Sequence, residues 1–190
     1  VMWWGALNEA PEDVLEFLFF IVTRFDDIYQ AFRAIDGPGG NGVITLKEFR
    51  EGYHEIGCKK FEGPSELERV NAVFRYLDPS GEGEVSMGEW GVLEQFWKEI
   101  NLSILEFVIF LERVMGPDLH KAWEFLDDDG SGEIELDEWQ EAVKKLGYFG
   151  PSVPIFIYLD QDDEGTISLD EFELLETFQR GHTKDKRISM

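Results

Sequence analysis

A twelve-residue window recurs four times along the chain, and it is cleanest at residues 127–138, Asp-Asp-Asp-Gly-Ser-Gly-Glu-Ile-Glu-Leu-Asp-Glu. Side-chain oxygens fall at its positions 1, 3, 5, 9 and 12: Asp127, Asp129, Ser131, Glu135 and Glu138. Gly132 holds position 6, where the chain must turn sharply and a positive φ suits glycine. Ile134 holds position 8, where a short β-type pairing residue would sit. Alternate residues of a tight loop point to one centre. A hard divalent cation wants about six to eight oxygens at roughly 2.3–2.6 Å. The carbonyl of Glu133 at position 7 adds one oxygen, and a glutamate at position 12 can add two.

The other copies are graded in quality. Residues 160–171 offer Asp160, Asp162, Glu164, Thr166 (through its carbonyl), Ser168 and Glu171, with Gly165 and Ile167 at the turn and pairing positions. Residues 78–89 offer Asp78, Ser80, Glu82, Glu84 (again a carbonyl), Ser86 and Glu89, with Gly83 and Val85, but Pro79 stiffens position 2 and a serine replaces the acid at position 3. The fourth copy, Asp36 to Glu48 with Gly42 and Ile44, is one residue too long. Counted back from Glu48 it begins on Gly37 and has Gly39 third; begun at Asp36 it must bulge through residues 37–40, with Asn41 and Glu48 as donors.

Apolar residues at helical spacing precede each window: Ile28, Ala31, Phe32 and Ile35; Val70, Val73, Phe74 and Leu77; Leu119, Ala122, Trp123 and Leu126; Ile155, Phe156 and Leu159. An aromatic residue opens each exiting helix, namely Phe49, Trp90, Trp139 and Phe172. These read as core. A second repeat lies ahead of the windows: Val14-Leu15-Glu16-Phe17 returns as Ile104-Leu105-Glu106-Phe107. Each copy predicts an apolar helix, and helices apolar nearly all round are normally buried. They are expected to pack on helices of this same chain, with Phe19 and Phe110 shielded from solvent. The second helix is predicted to start at a capping box, Ser103 with Glu106, and to stop at Gly116-Pro117, with Pro117 first in the following helix. Nothing at the far end of the first stops it from running on into residues 26–35.

The loop pattern resembles the calmodulin-like EF-hand calcium-binding superfamily, across nearly the whole chain. The resemblance implies an all-α fold of two lobes, each a pair of helix–loop–helix units with short β-type pairing between loops, here with an extra leading helix per lobe. Expected domains are residues 1–100 and 101–181, with a mobile, locally basic tail at 182–190. Numbered in chain order, loop one is residues 36–48, loop two 78–89, loop three 127–138 and loop four 160–171; two or three Ca²⁺ ions are expected, at loops three and four and, as the third, at loop two. A glutamate at position 12 of every loop favours calcium over magnesium, which demands a smaller octahedral shell.

Charge narrows the partners. With 40 acidic and 17 basic residues the chain carries −23 at neutral pH, which disfavours nucleic acid and anionic membranes. A hydrophobic content of 43% is enough for a packed core. The single cysteine, Cys58, permits no internal disulfide and points to a reducing, cytoplasmic setting. No apolar run is long enough to span a bilayer. No phosphate loop, zinc spacing or nucleophile constellation suggests an enzyme. Three functions fit. A sensor or regulatory subunit would engage a protein partner, through a basic amphipathic helix or within a larger assembly. With only four Met, it would be a dedicated binder rather than a promiscuous one. A calcium-stabilised structural subunit would have its grooves filled by its own leading helices. A calcium-triggered photoprotein shares the size and acidity, but the hand spacing differs and His54, His120 and His182 are scattered.

Overall fold

The computed structural model describes Leu7 and residues 9–180. The expected tail lies outside the described residues. The chain divides into two compact units: Ala10–Trp97 form one, and Leu7 and Glu9 group with the residues from Lys98 onward in the other.

The N-terminal unit begins with α1 (Glu12–Arg24), followed by α2 (Ile28–Asp36), β1 (Val43–Thr45), α3 (Leu46–Glu55), α4 (Glu66–Leu77), β2 (Glu84–Ser86) and α5 (Met87–Trp90). Strand β1 pairs antiparallel with β2, and Ile44 faces Val85, so the eighth positions of loops one and two meet. Helix α3 starts at a capping box of Thr45 with Glu48, and α5 at one of Ser86 with Glu89. The leading helix α1 is buried on more than one face: Val14, Leu15, Phe17, Leu18, Phe19 and Ile21 are all shielded. Phe17 meets Phe49 edge-on at 5.3 Å and Trp90 at 5.9 Å. It therefore sits against the aromatic residues that open both exiting helices. Phe32 joins the cluster at 5.5 Å from Trp90. The Trp90 indole donates to the carbonyl of Ile28 at 2.8 Å, which satisfies the one polar atom of a fully buried ring. Arg69 on α4 ties α1 down further, donating to Asp13 at 2.8 Å and Glu16 at 2.7 Å.

Helix α1 does not run on into α2. It stops at Arg24, and Asp27 caps α2 by accepting from the amides of Tyr29 at 2.8 Å and Gln30 at 2.9 Å. An aspartate at that offset offers the backbone a better-bonded start than a continuous helix would.

Continuity appears instead further along. Helix α6 (Val92–Met115) is one element, so the exiting helix of hand two and the second leading segment are not separate. Ser103 is not an N-cap. It is fully buried mid-helix, and its hydroxyl donates to the Glu99 carbonyl one turn back at 2.9 Å. A serine in a continuing helix uses this back-bond, so the Ser-x-x-Glu pattern had no chain end to cap. Although α6 is long, no helix among the described residues is long and apolar enough to cross a membrane.

The C-terminal unit holds the second part of α6, then α7 (Leu119–Leu126), β3 (Glu133–Glu135), α8 (Leu136–Leu146), α9 (Ser152–Leu159), β4 (Thr166–Ser168) and α10 (Leu169–Phe172), with residues 175–180 again helical. Pro117 lies outside α7, whose cap is Asp118, accepting from His120 N at 3.1 Å. Strands β3 and β4 pair antiparallel with Ile134 facing Ile167. Phe107 packs on Trp139 at 5.4 Å and Tyr148 at 4.8 Å, the counterpart of Phe17 in the first unit. The expected shielding holds for Phe19, which is 3% exposed. Phe110 differs: it is half-buried, leaning on Tyr148 at 5.4 Å beside a cavity it lines with Ile109 and Arg113.

Candidate metal centre

Each loop begins where a helix ends, and the first aspartate is built into that transition. Asp127 ends α7 with ψ 71°, Asp160 ends α9 with ψ 80°, and Asp78 ends α4 with ψ 72°. Leaving the helix there turns the following amides back toward the aspartate side chain. One carboxylate oxygen accepts from the amide five residues on in each case: Gly132 at 3.1 Å, Gly165 at 3.1 Å and Gly83 at 2.8 Å. In loop one Asp36 accepts from Gly42, six residues on, at 3.0 Å. Loop one therefore starts at Asp36 and carries its extra residue as a bulge. A Cβ at Gly40 would overlap the Asp36 carboxylate, so a larger residue there would have to displace that side chain.

In loop three, oxygens of Asp127, Asp129 and Glu138 lie within 4.8 Å of one another. Ser131 N donates to Asp127 at 3.0 Å and to Asp129 at 2.9 Å. The Ser131 side chain and amide hold the Asp129 carboxyl below its ordinary range. Glu138 reaches back across the loop and accepts from Asp128 N at 3.1 Å. The Ser131 hydroxyl donates to the Glu133 carbonyl at 2.7 Å, so two expected donors face each other. Glu135 is the N-cap residue of α8, outside the acidic triad.

Loop four brings Asp160, Asp162 and Glu171 together within the same 4.8 Å. Glu171 spans the loop. One oxygen accepts from Gln161 N at 2.8 Å, while the other accepts from Ser168 N at 2.9 Å and its hydroxyl at 2.8 Å. Ser168 is thereby engaged as a helix cap, and Thr166 sits beside Ile167 in β4. Asp162 accepts from Glu164 N at 3.2 Å, and Glu164 is not in the triad. Oδ1 of Asp160 is buried without a hydrogen-bond partner. Burial, followed by the negative neighbours Asp163, Glu171 and Asp162, pushes the Asp160 carboxyl up to about 6.

Loops one and two are arranged differently. Asp78 is 7% exposed and saturated by its own loop, accepting from Ser80 Oγ at 2.9 Å, Gly81 N at 2.9 Å and Glu82 N at 3.2 Å besides Gly83. These bonds, that of Gly83 first, hold its carboxyl below the ordinary range. Glu89 bonds to the Ser86 amide at 2.8 Å and hydroxyl at 2.7 Å, and Glu84 lies in β2. Asp78, Glu82 and Glu89 do not form a third acidic group; among the described residues there are two. In loop one Glu48 caps Thr45 in the same way at 2.8 and 2.7 Å, and Asn41 accepts from Val43 N at 3.1 Å.

Two features of loop four were hidden in the sequence. One is the orphaned oxygen of Asp160. The other is Asp163, the fourth loop residue, which has φ 61° where Gly81 and Gly130 have 71° and 68°. Aspartate tolerates this left-handed conformation better than most residues but still at a cost. Asp163→Gly is expected to stabilise the calcium-free C-terminal unit by about 1 kcal/mol, read as a higher melting temperature in chelator.

Asp160 carries a pH dependence. Folding raises its pKa from 3.8 to about 6, so its contribution favours the fold below 3.8 and is lost as the pH climbs through 6. In chelator, Asp160→Asn is expected to melt above wild type at about pH 7 and to match it at about pH 4. Equal melting temperatures at neutral pH would contradict the buried-charge account.

A family model described as an EF-hand domain pair matches residues 117–175, the stretch holding loops three and four. No curated protein matches the chain. Both acidic triads lie inside the matched stretch, so residues 117–175 are similar to an EF-hand pair.

Proposed function

We propose that this chain is a calcium-stabilised EF-hand subunit that holds two Ca²⁺ ions in its C-terminal pair and serves a protein partner or larger assembly as a regulatory or structural component. The donor chemistry suits the ion: three carboxylates per site, no nitrogen or sulfur, and at Asp160 a buried oxygen lacking any other partner. Asp127, Asp129 and Glu138 would hold one ion, and Asp160, Asp162 and Glu171 the other. A bound ion would supply positive charge that relieves the repulsion among these groups.

One observation favours a pre-filled module over an open-groove sensor. The apolar centre of each pair is occupied by a leading helix of the same chain, through Phe17 against Phe49 and Trp90, and Phe107 against Trp139 and Tyr148. A sensor that opens a groove for a target helix would first have to expel these residues. Calorimetric titration is expected to count two calcium sites per chain. An apolar-surface dye should show no calcium-dependent rise in fluorescence. A large rise would favour the sensor, and absence of calcium binding would end the reading.

A further inference from the structure

The two acidic triads share a contact that is not made by a carboxylic acid. In each, the position-twelve carboxylate is held over the loop by the main-chain N–H of the second loop residue. Asp128 N donates to Glu138 Oε1 at 3.1 Å. Gln161 N donates to Glu171 Oε1 at 2.8 Å, and Asp162 N adds a longer contact at 3.4 Å. Loop two has proline at this place, Pro79 directly after Asp78. Proline has no N–H to give. In loop one, which starts at Asp36, the second residue is Gly37, whose N–H donates to the Arg33 carbonyl at 3.1 Å. Glu48 and Glu89 bond to the start of their own exiting helices, at Thr45 and Ser86, as the second oxygen of Glu171 does at Ser168; the bond across the loop is what loops one and two lack.

We propose that the second-position amide is the positioning group that decides which loops of this chain gather a calcium ligand set. Asp128 and Gln161 act as latches through their main-chain N–H, Pro79 withholds the latch from loop two, and in loop one the Gly37 N–H is spent on the Arg33 carbonyl. The inference rests on the calcium reading above. A glutamate side chain has several rotatable bonds, and ordering it costs entropy when the ion arrives. A latch made beforehand removes part of that cost, as preorganisation does in any binding site. The competing explanation for loop two is its serine at position three in place of an acid. That account makes no demand on the second amide, so the two separate.

Proline can be placed at the latch without remaking the loop entry. A residue before proline is pushed out of the α region. Asp127 and Asp160 already have ψ 71° and 80°, beside 72° at Asp78, which precedes a proline. Asp128→Pro and Gln161→Pro should therefore keep the loop entry while removing the main-chain donor; Gln161→Pro also removes the side-chain bond to the Tyr158 carbonyl, as its alanine partner does.

The test compares these variants with Asp128→Ala and Gln161→Ala in the full chain, titrated with calcium chloride in a calorimeter. The alanine variants keep the N–H and should bind within about threefold of wild type; each proline variant should bind about tenfold or more weakly than its alanine partner, the range for a lost hydrogen bond to a charged acceptor. A second readout needs no calcium and no proline. In chelator, the Asp128 and Gln161 amides of the wild type should exchange with solvent more slowly than in Glu138→Ala and Glu171→Ala respectively. Equal affinities of proline and alanine variants, or exchange unaffected by the glutamate substitutions, would overturn the latch while leaving calcium binding intact. A wild type that binds no calcium would overturn the calcium reading itself, and the latch with it. Should a proline variant fail to fold, the exchange comparison decides.

Discussion

Phe17→Ala is expected to destabilise the N-terminal unit by about 3–5 kcal/mol, the range for truncating a buried aromatic residue. Phe17 is fully buried and touches Phe49, which opens the exiting helix of hand one, and Trp90, which opens that of hand two. Its removal empties the place where the leading helix meets both hands, and the rigid Trp90, tied to Ile28, cannot slide in to fill it. Phe107→Ala should cost the C-terminal unit a similar amount, because Phe107 is equally buried against Trp139 and Tyr148. Phe20→Ala is the internal control: Phe20 lies on the same helix as Phe17 but is only half-buried, and should cost clearly less. Urea unfolding followed by tryptophan fluorescence measures all three. If Phe17→Ala and Phe20→Ala cost the same, α1 is not the core element described here.

Calcium should raise the melting temperature of the wild type strongly, and chelator should abolish the rise. A ligand present at a hundredfold its Kd stabilises a one-site native state by about 2.7 kcal/mol. Two triads of like charges held within 4.8 Å are the source of the effect, since the ion relieves repulsion that the empty loops retain. Glu138→Gln combined with Glu171→Gln should remove the calcium-dependent shift, because an amide cannot give two anionic oxygens to one ion. The chelated melting temperature of that double variant should stay close to wild type or rise slightly, as two negative charges have left crowded sites. Glu89→Gln in loop two should leave the calcium shift largely in place. A loss of the shift as complete as that of the double variant would make loop two a site after all.

The spacing of the acidic residues was legible in the sequence because it is local. Asp127, Asp129 and Glu138, or Asp160, Asp162 and Glu171, lie within one turn-and-helix start, and the loop brings them together by its own backbone rules. The eighth-position pairing, Ile44 with Val85 and Ile134 with Ile167, follows from the same local register. The apolar character of residues 14–22 and 104–114 likewise announced burial, since so much apolar surface cannot remain in water.

Tertiary structure decided what depended on neighbours distant in the chain. Ser103 with Glu106 has the form of a helix start, yet a helix already in place through residues 92–102 turned the serine into an interior residue. Asp27 follows the end of α1 at Arg24 and caps a new helix where apolar periodicity would have carried the first one through. Loop two has Asp78 and Glu89 at the right spacing but Ser80 at position three, and both oxygens of Asp78 are taken up by Ser80 and the amides of residues 81–83. Asp160 looks in sequence like every other loop aspartate; only burial against Asp163, Glu171 and Asp162 makes it the one pushed up to about 6. A ligand type can be read from spacing, because spacing sets which side chains face one point. Whether those side chains are free for an ion depends on the hydrogen bonds and burial that the rest of the fold imposes.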